Sequence, residues 1–244
     1  MLDRVTQNSC RLLMWLNKSK VSKEAMSAYR KALSTSVPRH VIIDNLFATA
    51  MLDQVVEALS EPHHWQTQQH TYSALYVDDE QWQGAIESER FVKRDRWIAN
   101  KASANSGADK LATEFLAFLR SNEFMSFLST VFKVHISDLN LADPKLNSNY
   151  FRLKPGDFVN EHADDSPGRE ICMLLYLNKA WCKGDGGELV FSGKDNELVN
   201  IPPVYNRCVL FDPSSEGSEH WVNAMASSGN ASYRYNVTSW YWTE

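Results

Sequence analysis

The sequence predicts an α+β domain in which a curled, double-layered sheet is covered on one face by helices. Two observations carry this: up to about residue 145 apolar residues recur at helical spacing, and beyond it short strand-like runs alternate with turn signals. Composition agrees, since 43% hydrophobic and 11% aromatic residues in a chain of 244 furnish a sizeable core.

Residues 1–36 read as helix, with Leu12, Leu13 and Leu16 on one face and a second segment from Ser22 to Leu33. Val37-Pro38 breaks the pattern, because the residue before a proline is pushed out of the helical region. Residues 1–38 are therefore read as an N-terminal helical extension packed on a main domain of residues 39–244. His40 to Ile43 reads as a short strand. Asp44 is expected to cap a helix carrying Ala48, Leu52, Val55, Val56 and Leu59 at helical spacing. Residues 63–106 read as polar and irregular, with Trp65, Trp82 and Trp97 scattered through them. Two helical stretches span Ala108 to Lys133; their Leu111, Phe115, Leu119, Phe124, Phe127 and Phe132 are core stripes. Strands are expected at Tyr150–Leu153, Ile171–Leu177, Glu188–Phe191, Cys208–Phe211 and Tyr233–Trp242. Turns at Lys154-Pro155-Gly156-Asp157, Gly184-Asp185-Gly186-Gly187 and Ile201-Pro202-Pro203 separate them.

A net charge of -5 gives no electrostatic footprint for nucleic acid, so no nucleic-acid partner is expected. No apolar run is long enough to span a bilayer, and the stretch from Leu12 to Leu16 lacks a cleavage site, so no membrane association is expected. The four cysteines (Cys10, Cys172, Cys182, Cys208) form no CxxC pair and resemble neither a disulfide framework nor a thiolate zinc site. A cytoplasmic protein is the expectation, with its oligomeric state left open.

Of seven histidines, only His162 has an acid two places on, Asp164. Chance alone supplies about one such pair in a chain of this composition, so the pair is weak by itself. In an extended segment, however, residues i and i+2 point to the same side and can converge on one ion. His220, beyond the strand ending at Phe211-Asp212, can supply a third ligand. Two imidazoles and a carboxylate on one face of a metal are the mark of non-haem Fe(II) oxygenases, whereas structural zinc favours a closed, four-ligand site. Arg234 lies within an apolar, aromatic strand, where burial demands a partner. A ligand carboxylate would answer that demand, and so would a protein carboxylate. Thr238, four residues on, faces the same side.

These stretches together carry a family resemblance. Lys154-Pro155-Gly156-Asp157-Phe158 leads to His162-Ala163-Asp164. Leu175-Tyr176-Leu177-Asn178, Trp181 and Gly186-Gly187-Glu188-Leu189 follow. Asn206 to Phe211, His220-Trp221-Val222 and Arg234 to Trp242 complete the order. Residues from about 149 to 243 resemble the 2-oxoglutarate and Fe(II)-dependent oxygenases of the prolyl-4-hydroxylase-like branch. The resemblance implies a double-stranded β-helix (a cupin-like jelly roll) with supporting N-terminal helices. It implies Fe(II) on His162, Asp164 and His220, and the distal carboxylate of 2-oxoglutarate on Arg234, Thr238 and the Tyr176 hydroxyl. The implied reaction is hydroxylation of an unactivated C–H of a prolyl or amino-acid-like substrate by O₂. It is coupled to decarboxylation of 2-oxoglutarate to succinate and CO₂, with ascorbate a candidate reductant. In related halogenases a small residue replaces the carboxylate, so Asp164 argues for hydroxylation. Where many relatives carry a tyrosine, nine residues before the first histidine, this chain has Leu153. Asn149 or Tyr150 is a candidate substitute at the keto-acid end.

The primary substrate, a small molecule or a peptidyl residue, stays open. Arg90, Lys93, Arg94, Arg96 and Trp97 could meet an acidic or peptide substrate. The preferred reading is a solvated basic face offset by Glu87, Glu89 and Asp95. Two other functions are kept in view: a non-catalytic module sensing iron or 2-oxoglutarate on the same fold, and a cupin-like zinc or manganese enzyme.

Overall fold

The computed structural model describes residues 14–99, 107–139, 141–229 and 231–243; the expected helical positions Leu12 and Leu13 lie outside them. Among the described residues eleven strands form one curled sheet, and five α-helices accompany it.

Helix α1 (Lys23–Thr35) starts where Ser22 accepts a hydrogen bond from the Ala25 amide at 3.1 Å. The expected continuous N-terminal helix is instead interrupted. Leu16 bridges to Phe47, and Asn17 caps a single 3-10 turn at Lys18–Val21. Strand β1 (His40–Asp44) includes Asp44, which is a strand residue bound to Arg207 and not a helix cap. Helix α2 (Thr49–Leu59) begins after Ala48 with no side-chain cap. Residues 63–99 are not irregular. Strand β2 (Trp65–Thr71), the short helix α3 (Asp79–Gly84) and strand β3 (Arg90–Trp97) form a long hairpin. Helices α4 (Gly107–Leu119) and α5 (Asn122–Phe132) follow.

The remaining strands are β4 (Ser148–Leu153), β5 (Phe158–His162), β6 (Arg169–Tyr176), β7 (Leu189–Phe191), β8 (Val199–Ile201), β9 (Arg207–Phe211), β10 (His220–Val222) and β11 (Arg234–Trp242). Their spatial order is β1-β9-β6-β11-β4-β3-β5-β10-β7-β8, all neighbours antiparallel, with β2 added on β3. Strand β3 pairs with β4 through Asp95 and Arg96, and with β5 through Val92 and Lys93. It thereby joins the two layers of the roll.

Strand alternation separates two cores. On β6, Ile171, Met173 and Leu175 face the helices, packing with Leu52, Phe115, Phe124 and Leu128. Cys172, Leu174 and Tyr176 face the interior with Leu189, Phe191, Ile201, Val209 and Phe211. A strand buried on both faces reads as an unbroken apolar run, which is why its sequence shows no alternation. On the helix side, Tyr150 and Tyr241 donate to the Ala112 and Leu119 carbonyls of α4, at 2.8 and 3.1 Å. Trp15 and Leu16 are buried in this same core.

Candidate metal centre and cosubstrate pocket

Strands β5 and β10 run antiparallel with His162 directly opposite His220, and the ring centroids are 4.2 Å apart. The chain leaving β5 brings Asp164 to the same point. One donor atom from each of His162, Asp164 and His220 lies within 4.8 Å of the others. Each imidazole is set by its own backbone: His162 Nδ1 meets the Asn160 carbonyl and His220 Nδ1 the Ser218 carbonyl, both at 2.9 Å. A carbonyl only accepts, so Nδ1 carries the proton in each ring and Nε2 keeps a free lone pair, ready to hold a metal. Burial, reinforced by His162, pushes the pKa of His220 down to about 4, so the ring is neutral.

Burial would raise the Asp164 carboxyl, but His162, His220 and Arg169 together hold it below its ordinary range. Arg169 donates to Oδ1 at 2.9 Å and the Trp240 indole to Oδ2 at 2.8 Å, while the Cys172 thiol lies 3.6 Å from Oδ2. Phe91 packs edge-on against His162, and Phe191 and Phe211 flank His220, giving the cluster an apolar collar.

The second half of the site is built on β11. Arg234, Asn236, Thr238 and Trp240 alternate toward the interior, facing Tyr176 and Leu174 of β6. Arg234 is 1% exposed; Nε donates to the Gly187 carbonyl at 2.6 Å and Nη1 to Asn236 Oδ1 at 2.7 Å. Its Nη2 is buried with no hydrogen-bond partner, and so is the Tyr176 hydroxyl beside it. A buried, unpartnered donor costs about 1–3 kcal/mol, so two together indicate a place built for something else. A carboxylate there would satisfy both, and the residues fit 2-oxoglutarate. Burial pushes the Tyr176 phenol up to about 12, which keeps it a proton donor. Thr238 Oγ1 accepts from Asn236 Nδ2 at 2.8 Å, leaving its own hydroxyl proton to give.

The structure thus brings His162, Asp164 and His220 to one point and lines the same interior with Arg234, Tyr176 and Thr238. Asn236, which couples Arg234 to Thr238, was missed, although the alternation that marks Thr238 marks it too. Trp240 and Arg169, which fix Asp164, were also missed; for Arg169 no local signal existed. Of the two candidates for the keto-acid end, Tyr150 points away into the helix-side core, whereas Asn149 pairs with Thr238 in register and donates to the Leu146 carbonyl. The expected solvated basic face holds poorly as well, since Arg90, Arg94 and Arg96 each have a buried, unpartnered Nε.

Fold and site together define a double-stranded β-helix with a His-Asp-His cluster at one end of its interior. Residues 148–242 match the model of the 2OG-Fe(II) oxygenase superfamily. The superfamily implies Fe(II) and 2-oxoglutarate as its working pair. Prolyl 3-hydroxylase OGFOD1 of Xenopus laevis is 33% identical over 86 residues, covering 33% of this chain and 16% of that protein. The Mus musculus protein of the same name is 26% identical over 133 residues, covering 52% of this chain and 23% of its own. The chain therefore spans less than a quarter of the length of either curated relative. Among solved structures, a Pseudomonas putida prolyl-4-hydroxylase superposes with a TM-score of 0.60 at 15% identity, covering 90% of this chain and 99% of that one. A Trichoplax adhaerens prolyl hydroxylase, solved with a peptide fragment of hypoxia inducible factor, gives 0.63 at 19% identity, covering 90% and 89%. These two likenesses establish the fold.

Proposed function

We propose that this chain hydroxylates an unactivated C–H of a prolyl or amino-acid-like substrate. One O₂ and one 2-oxoglutarate are consumed, and the hydroxylated product, succinate and CO₂ are formed. Fe(II) would be held by Nε2 of His162 and His220 and by the Asp164 carboxylate. Arg234, Tyr176 and Thr238 would hold the distal carboxylate of 2-oxoglutarate. The observation that carries this reading is the pairing of two orphaned donors, Arg234 Nη2 and the Tyr176 hydroxyl, with a three-ligand cluster lining the same interior. When bound, the iron supplies O₂ activation. The chain's own residues orient and shield: Arg169 and Trp240 hold Asp164 in place, Asn236 aims the Arg234 fork, and Phe191 and Phe211 keep water from His220. Support for a prolyl-type substrate comes from the prolyl hydroxylases among the relatives.

The test adds Fe(II) and 2-oxoglutarate anaerobically and looks for a visible charge-transfer absorption. It then measures 2-oxoglutarate consumption with prolyl peptides, free amino acids and small metabolites in the presence of O₂. The absorption and substrate-dependent consumption are expected in the native chain and absent in His162→Ala. Full activity in that variant would sink the ligand assignment.

A further inference from the structure

The β2–β3 hairpin stands over the metal ligands. Tyr72 stacks on Phe91 at 5.2 Å and Phe91 meets His162 at 4.9 Å, while the Tyr72 hydroxyl donates to the Glu161 carbonyl at 3.0 Å. Its inward face carries unusual charge. Arg96 pairs in register with Phe151, and Phe151 with Asn236, so Arg96 shares the face of the Arg234 cradle. Arg94, two residues earlier, has the same orientation, with its guanidinium 3.4 Å from the centre of the Phe151 ring. Arg94 follows the last paired residue of that ladder, Asp95, and an extension of the register by one residue would set it across from Leu153, which lies opposite Arg234. Strand β4 lies between the strands that carry the two arginines, which are therefore about 10 Å apart. Leu153 between them offers no polar atom. Arg94 is close enough to Asp164 and Arg234 to interact with both charges.

Arg39, Arg120, Arg152, Arg169 and Arg207 each pair with a carboxylate. Arg94 and Arg96 pair with none among the described residues, and the Nε of each is buried without a partner. His70, 4% exposed and on the same face, accepts the Tyr76 amide at Nδ1 (3.0 Å). Its proton therefore sits on Nε2, which is also buried and unpartnered. Three donors on two adjacent strands thus have no acceptor, and the Oε1 of Gln68, opposite Arg94 in register, is likewise buried without a partner.

Iron and 2-oxoglutarate cannot supply it. The charges of Fe(II) and Arg234 are matched by Asp164 and the two carboxylates of the cosubstrate. Arg169 is paired with Asp164, and Glu188 acts on Arg234. Two positive charges, Arg94 and Arg96, are left over, both half-buried with a buried, unpartnered Nε, and an unpaired, partly desolvated charge is costly. We infer that the primary substrate carries an anionic group, a carboxylate or a phosphate, which docks on Arg94, Arg96 and His70 and so orients the reacting C–H over the metal ligands. This rests on the oxygenase reading for the identity of the occupants beside it. Arginine forks match either anion in a bidentate fashion.

The test uses the full chain with Fe(II) and 2-oxoglutarate under anaerobic conditions, comparing Arg94→Ala, Arg94→Lys, Arg96→Ala and Arg234→Ala. Inorganic phosphate is titrated as one probe. N-acetylglutamate α-methylamide is the second, against its neutral isostere N-acetylglutamine α-methylamide. An anionic probe should bind the native chain at least about tenfold more tightly than the neutral one, and the preferred anion names the source. Arg94→Ala and Arg96→Ala should each weaken it about tenfold, and Arg94→Lys, which keeps charge but loses the fork, by less. The lysine variant decides the matter if the alanine variants do not fold. The 2-oxoglutarate dissociation constant, read from the charge-transfer absorption, should hold within about twofold in the Arg94 and Arg96 variants and rise steeply in Arg234→Ala. The inference falls if anionic and neutral probes bind alike, if the variants bind the anion as the native chain does, or if Arg94→Ala loses 2-oxoglutarate as Arg234→Ala does. Absence of the absorption in the native chain would count against the oxygenase reading instead, and the same titration on metal-free protein would still decide the anion site.

Discussion

Tyr176 illustrates how single residues here serve a ligand at the expense of the fold. Its ring is fully buried against Leu174, Phe191 and Val209, yet its hydroxyl has no hydrogen-bond partner. Removing an unsatisfied buried hydroxyl removes a desolvation penalty, so Tyr176→Phe should leave the stability of the ligand-free chain unchanged or raised by up to about 1 kcal/mol. The same change deletes one of the donors proposed for the distal carboxylate, and the 2-oxoglutarate KM should rise about tenfold. Thermal unfolding and steady-state kinetics on one preparation check both halves. A destabilised Tyr176→Phe with unaltered KM would make the tyrosine a packing residue only.

At the scale of elements, what could be read in advance depended on how each strand is buried. Strand β6 was foreseen because both its faces are apolar, and β11 because aromatic residues alternate with the polar Arg234 and Thr238. Strands β5, β8 and β10 were not: three to five residues, half of them polar, carry too little pattern, and their pairing partners define them. The β2–β3 hairpin escaped for a different reason. Gln68, Arg94 and Arg96 hold the inward positions and Gln66 is exposed, so the apolar alternation that marks a strand is missing. Ordered spacing marks His162, Asp164, His220 and Arg234 as candidates, while the residues that support them come from distant segments. The Gly184–Gly187 turn joins both levels. A Cβ on Gly187 (φ +79°) would sit 2.8 Å from Met225 Sδ and 2.9 Å from Arg234 Cδ, whereas one on Gly184 (φ +101°) would meet nothing within 4 Å. Gly184→Ala should therefore cost only backbone strain, about 1 kcal/mol. Gly187→Ala should cost about 2–4 kcal/mol and weaken 2-oxoglutarate binding by displacing Arg234. Equal losses in the two variants, in unfolding and in cosubstrate titration, would detach this turn from the cradle.

For the whole molecule, one face of the sheet is committed to the helices and the other to an interior that holds buried polar and cationic groups beside its apolar cluster, and those groups make stability depend on pH. His70 shows the sign. Burial first, and Arg94 second, push its pKa from 6.5 down to about 4. Between those values the unfolded chain binds a proton that the native chain refuses. The stability gained by keeping His70 neutral is therefore complete above about pH 6.5 and is lost as pH falls toward about 4. In the metal-free chain His220, also held down to about 4, acts in the same direction. Urea unfolding of metal-free protein should accordingly show a midpoint that declines through this window. In His70→Asn the side-chain oxygen retains an acceptor for the Tyr76 amide but nothing titrates, so the decline should be shallower by on the order of 2 kcal/mol. Arg94→Ala should reduce it too, by removing the positive charge that opposes protonation of His70. An acid decline as steep in His70→Asn as in the native chain would assign the loss to other groups, and would leave the polar mouth without a measurable cost to the fold.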